Sequence, residues 1–166
     1  MKKPIKKHLV ALYVDTTPEN TTPSWIRIKK STELTVAMNP ETEDYDYIAD
    51  ESKTTELESY NPTIEQPLKM IQGEDDFDYF WDFYYQMKVG EDAKTNVLLV
   101  YMFESETKGT KEYFVAWRAG CSIVVNELNA VDSELSFDIN FAGTVEKGWA
   151  TVTDGTPTYV KTLPTT

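Results

Sequence analysis

The chain has 166 residues, 40% hydrophobic and 13% aromatic, with 28 acidic side chains against 16 basic ones and a formal charge of -12. That length suits one domain, which buries about 68–70% of its unfolded surface at this size, and the apolar content excludes global disorder. With two arginines and a strongly negative balance the chain is no phosphate-neutralising nucleic-acid binder, and one cysteine excludes an internal disulfide.

In chain order, MKKPIKKHLVALYV begins with Lys2, Lys3, Lys6 and Lys7. Residues 1–7 read as a flexible arm. The bland reading of these lysines is a solvated tail; the sharper one sets them against acidic surface on a neighbouring copy. The apolar run behind them is short, ends in Asp15 and lacks a small-residue cleavage site, so no secretory segment is expected. Nothing approaches the ~18 apolar residues of a membrane-spanning helix. Leu9, Ala11 and Tyr13, then Leu34, Val36 and Met38, alternate as strands do.

Residues 41 to 92 hold 16 of the acidic groups and three of the basic ones, a local charge of -13. Within them, Asn39-Pro40, Asn61-Pro62 and Gln66-Pro67 act as breakers. The tract from Asn39 to Ser52, with Asp44, Tyr45, Asp46, Tyr47, Asp50 and Glu51, reads as a long loop, and loops of that length in compact domains tend to be functional or disordered. Thr54 to Ile71 reads as strand and connector. Glu74 to Lys88 (EDDFDYFWDFYYQMK) is the one convincing helix, with Phe77, Phe80, Trp81 and Tyr84 as its core face at spacings of three and four. Glu74, Asp75 and Asp76 favour the positive end of the helix dipole, solvated, and Gly90 serves as the stop.

Val97 to Phe103, Tyr113 to Trp117 and the alternation at Cys121, Ile123 and Val125 suit buried antiparallel strands. Leu135, Phe137, Ile139 and Phe141 alternate with Ser136, Asp138 and Asn140 at period two. Glu146-Lys147-Gly148 reads as a turn into a return strand, Trp149 to Thr153, and Asp154-Gly155 as a second turn. Residues 156–166 read as a flexible tail. The predicted fold is mainly β: a single-domain antiparallel sandwich or barrel over 1–166, with one flanking amphipathic helix.

Catalytic signals are weak. His8 is the sole histidine and lies beside the lysine-rich terminus, which disfavours a histidine-based triad. Cys121 reads as a buried strand thiol. One cysteine and one histidine furnish no ordinary zinc site, and Asp75, Asp76 and Asp78 lack the loop glycine and terminal Glu of a calcium loop. No catalytic residue, cofactor or metal is assigned, and the chain is expected not to be an enzyme.

One resemblance is specific in its order of parts. N-terminal strands, a long acidic tract, ELESYNPTIEQPLKMIQGEDDFDYFWDFYYQM and the closing SELSFDINFAGTVEKGWATVTDG resemble the major tail proteins, or tail tube proteins, of long-tailed, non-contractile phages of Gram-positive bacteria. Each motif is structural and individually unspecific, and the likeness spans Met38 to Gly155. It implies a virion protein whose copies form hexameric rings that stack into the tail tube, with DNA passing the lumen unbound. The partners implied are other copies, the tape measure protein and terminator or tip proteins; no membrane is implied. The candidate assembly interface is then Lys2, Lys3, Lys6, Lys7, Asp44, Tyr45, Asp46, Tyr47, Asp50 and Glu51. Two alternatives stand beside it: a tube protein of the type VI secretion kind, and a monomeric carbohydrate-binding or adhesion module using Trp25, Trp117 or Trp149 as stacking platforms.

Overall fold

The computed structural model describes residues 2–165; Met1 and Thr166, the outer ends of the expected arm and tail, lie outside the described residues. The fold is mainly β and antiparallel, with one α-helix among the described residues. Strands β1 (Val10–Asp15), β2 (Trp25–Arg27), β3 (Thr35–Ala37) and β6 (Thr63–Lys69) join the long strands β7 (Lys94–Lys108), β8 (Lys111–Asn129) and β9 (Glu134–Thr153) in the order β2-β1-β7-β8-β9-β6-β3. A further strand, β10 (Thr156–Val160), pairs with β9 beyond the end of β6.

Three register shifts let the long strands bend, between Tyr101 and Ser105, Arg118 and Gly120, and Val125 and Glu127. The sheet consequently curls until β10 touches β2 without pairing with it. Both faces of β1 and β7 are therefore buried. Ala11, Tyr13, Leu98, Val100, Ala116 and Ala150 line the inside of the curl with Trp25 and Tyr159, and the Arg118 guanidinium lies over both rings, at 5.8 and 5.7 Å. Leu12, Val14, Val97 and Leu99 face the other way, into the main core with Ile64, Leu68, Cys121, Ile123, Leu135, Phe137 and Ile139. The helix α1 (Asp75–Tyr85) closes that core.

The helix differs from the sequence expectation in its face and its stop. Phe80 is fully buried and stacks on Phe137 at 4.0 Å, and Phe83 and Asp76 are buried with it. Phe77 packs half-buried on the core, whereas Trp81 and Tyr84 are 39% and 37% exposed. Aromatic residues at 77, 79–81 and 83–85 surround the helix, so spacing alone selects no single face. Asp76, four residues before Phe80, turns inward because its Oδ2 accepts from the backbone N–H groups of Lys29 and Lys30 at 2.9 and 3.1 Å. The stop is not Gly90. Met87 takes a left-handed φ of 48°, its N–H donates to the Tyr84 carbonyl and that of Lys88 to the Phe83 carbonyl, the paired bonds of a Schellman ending.

One turn and the tail are also corrected. Glu146-Lys147-Gly148 lies inside β9, paired with Ala116–Arg118 of β8. Gly148 is there for packing: a Cβ would meet the Tyr159 hydroxyl at 2.5 Å and the Val160 carbonyl at 2.6 Å. The segments Leu135–Phe141 and Trp149–Thr153 are therefore one strand bent near Gly143 (φ 74°), not two arms of a hairpin. The hairpin forms one turn later. Asp154 and Gly155 take φ values of 51° and 79°, as a tight two-residue turn requires, and they lead into β10, so the expected tail is anchored through Val160.

Candidate assembly interface

Pro40–Tyr45 (β4) and Thr54–Tyr60 (β5) form a separate two-stranded ladder that pairs with nothing else among the described residues. The expected loop over 39–52 is thus half strand, and only the part beyond Tyr45 is loop. The sequence hides this because both faces of the hairpin are polar, leaving no period-two pattern to read. The ladder continues outward from β3 and β6, whose last pair is Ala37 with Thr63. Its root is pinned: the Asn61 N–H donates to the Met38 carbonyl at 3.1 Å, and Asn39 Nδ2 donates to the Asn61 carbonyl at 3.1 Å and to Thr63 Oγ1 at 2.9 Å.

Beyond that root, every residue from 40 to 60 but Tyr45 is exposed. The hairpin carries eight carboxylates and one lysine. Glu43 sits directly opposite Glu56, a like-charge cross-strand pair that destabilises a ladder. Tyr45 shares this face, its hydroxyl 2.9 Å from Glu58 and 3.3 Å from Glu43. The hydrogen bond to Glu58 above all raises its pKa, with Glu43 and the charge of Glu56 adding to the effect. Tyr47 stacks on Tyr45 at 5.6 Å, and at the tip Ile48 projects fully into solvent.

The structure gathers Asp44, Tyr45, Asp46, Tyr47, Asp50 and Glu51 on this one hairpin. Lys2, Lys3, Lys6 and Lys7 lie apart, exposed on the segment before β1. Among the described residues none of the four lysines enters an ion pair. Trp25, Trp117 and Trp149 are half-buried; the first two pack on the two cores. Cys121 is buried, and burial pushes its thiol up to about 12. Among the described residues no group of three His, Cys, Asp or Glu side chains is placed to hold a metal, and no helix is long and apolar enough to cross a membrane.

Sequence reasoning missed a second surface. The β7 ladder begins at Lys94 opposite Ser122, so on that side Ile123–Asn129 of β8 has no partner strand. The end of α1 and the turn Gly90–Ala93 stand over this open edge and leave a groove of about 600 Å³. Its apolar lining includes Phe83, Tyr84, Met87, Val89 and Val124, with Met87 and Val89 80% and 77% exposed. The signal was present in the run of aromatics beyond Phe80, more than one helix face can bury.

No protein-family model matches the sequence, and neither does a curated protein. Two solved structures are similar in shape. A chain in the six-fold symmetrised baseplate of the anti-feeding prophage is 10% identical with a TM-score of 0.44, over 89% of this chain and 97% of that one. A chain in the sheath/tube terminator of an extracellular contractile injection system, PVC, in its extended state is 13% identical with a TM-score of 0.49, over 89% of this chain and 98% of that one. At identities and TM-scores this low, neither likeness assigns this chain a family or a function.

Proposed function

We propose that the chain is a structural subunit of a phage-type tail whose copies close into rings and stack as a tube. The observation that supports this best is the β4–β5 hairpin. A two-stranded ladder without a core is marginal in water, and this one adds opposed glutamates and a fully exposed isoleucine at its tip. Such an element gains its stability from a neighbour, and the neighbour is another copy. The uncovered edges of β2, β3 and β8 would be occupied in the same way, which removes them as templates for aggregation. Carboxylates facing a lumen would keep a passing phosphate backbone from sticking, and tape measure and terminator or tip proteins would complete the particle.

Electron microscopy of the concentrated protein tests the reading. Rings or tubes are expected. Protein that stays monomeric at high concentration and binds glycans would replace this reading with that of a binding module.

A further inference from the structure

The groove at the end of the helix and the tip of the hairpin match in chemistry and leave the sheet in opposite directions. Met87, Val89 and Val124 give the groove an apolar surface that the free chain leaves 80%, 77% and 42% exposed. Its charged lining is two lysines, Lys88 and Lys94, against one glutamate, Glu127. Each lysine is held by a carboxylate outside the lining, Lys88 by Asp82 at 2.8 Å and Lys94 by Glu91 at 2.6 Å, and surface ion pairs of this kind exchange at little cost. In a chain of charge -12 the groove is thus a place where an acidic element with an apolar tip is not repelled.

The β4–β5 hairpin is such an element. At its tip Tyr47 is 51% exposed and Ile48 fully so, among Asp46, Asp50 and Glu51. This tip stands away from the groove of its own chain. Ala37, Thr63, Asn140 and Ser122 lie in one row across β3, β6, β9 and β8. From that row the groove edge, Ile123–Glu127, runs along β8 level with Ser136–Ile139 of β9. The hairpin leaves the other way, past Phe141, whose N–H donates to the Pro62 carbonyl, and the six residues of β4 carry its tip about 20 Å further. Tip and groove therefore both stay exposed in the free chain. We infer that the hairpin tip of one copy seats in the groove of the next, Tyr47 and Ile48 on Met87, Val89 and Val124, with the tip carboxylates beside Lys88 and Lys94. Because the contact joins unlike surfaces, it repeats from copy to copy. It rests on the assembly reading and names the surface that receives the hairpin.

Two kinds of measurement test it. Mixing an Ile48→Cys chain with a Val89→Cys chain under mild oxidation should give a 48–89 crosslink, with the native thiol silent because Cys121 is buried. Ile48→Asp and Val89→Asp, both at exposed positions and so free to fold, should each raise the critical concentration for assembly on the order of ten-fold. The double variant should lose little more than either alone, since both changes break one contact. If tubes assemble without a 48–89 crosslink, or form unchanged in both aspartate variants, the docking is overturned and the tube reading stands. A Val89→Cys chain that crosslinks to itself, or to an Ile5→Cys chain, in place of the tip would overturn the docking in favour of paired grooves or of the arm. A 48–89 crosslink in a protein that forms small oligomers and no rings would uphold the docking and remove the tube. Monomers without a crosslink would end both.

Discussion

Asp76 is 2% exposed and accepts from the backbone N–H groups of Lys29 and Lys30, so removing its carboxylate takes the partner from two backbone donors that follow β2. Asp76→Ala is expected to cost about 1–3 kcal/mol, measured as a fall in the urea midpoint. Phe80 and Trp81 make a sharper pair. Phe80→Ala should cost about 3–5 kcal/mol, since the ring is fully buried on Phe137, while Trp81→Ala should cost about 1 kcal/mol or less at its exposed position. Equal losses in the two variants would mean the helix face is wrongly placed. Burial holds the Tyr79 and Tyr101 hydroxyls up to about 12. A raised folded pKa contributes stability that is complete below the ordinary value of 10 and is lost as pH climbs from 10 through 12. Unfolding followed against pH should show that loss, and Tyr101→Phe should make it shallower without changing stability at neutral pH.

At the scale of elements, the hairpin and the sheet it leaves are separable. The Asn39–Asn61 contacts and the Ala37–Thr63 pair close the root beneath it, and no hairpin residue belongs to either core. Replacing residues 41–59 with a short turn should therefore leave the unfolding midpoint nearly unchanged and abolish polymerisation. Normal tubes from this variant would remove the hairpin from the assembly. The helix was legible as an element because the run is long and aromatic, with acids at its start. Its inward face was not legible: one of the buried positions is Asp76, whose reason for burial is a backbone turn more than 40 residues earlier. Gly148 taught the same lesson. Glu-Lys-Gly carries the chemistry of a turn, yet the glycine answers to the Tyr159 ring on the next strand.

For the whole molecule, the assembly proposed above would set the exposed lysines of residues 2–7 against acidic surface on another copy, a contact open to solvent. Assembly should weaken as ionic strength rises, since the Debye length falls from about 10 Å at 0.1 M to about 3 Å at 1 M. Light scattering against salt measures this, and removal of residues 2–7 should both reduce assembly and flatten the salt dependence. Assembly indifferent to salt and to the truncation would leave the lysines as a solvated tail.

The amino-acid sequence by itself determined the mainly β class, most strand positions, the existence of one helix and the concentration of acid between residues 41 and 92. Each of these is local, expressed in period-two alternation, turn residues and composition. Only the tertiary structure decided that the acidic tract is a free-standing hairpin, that the helix turns Asp76, Phe80 and Phe83 inward, and that β8 keeps an open edge beside an apolar groove. Those outcomes depend on which strands pair and where a ladder ends, contacts between residues far apart in the chain that no local pattern encodes.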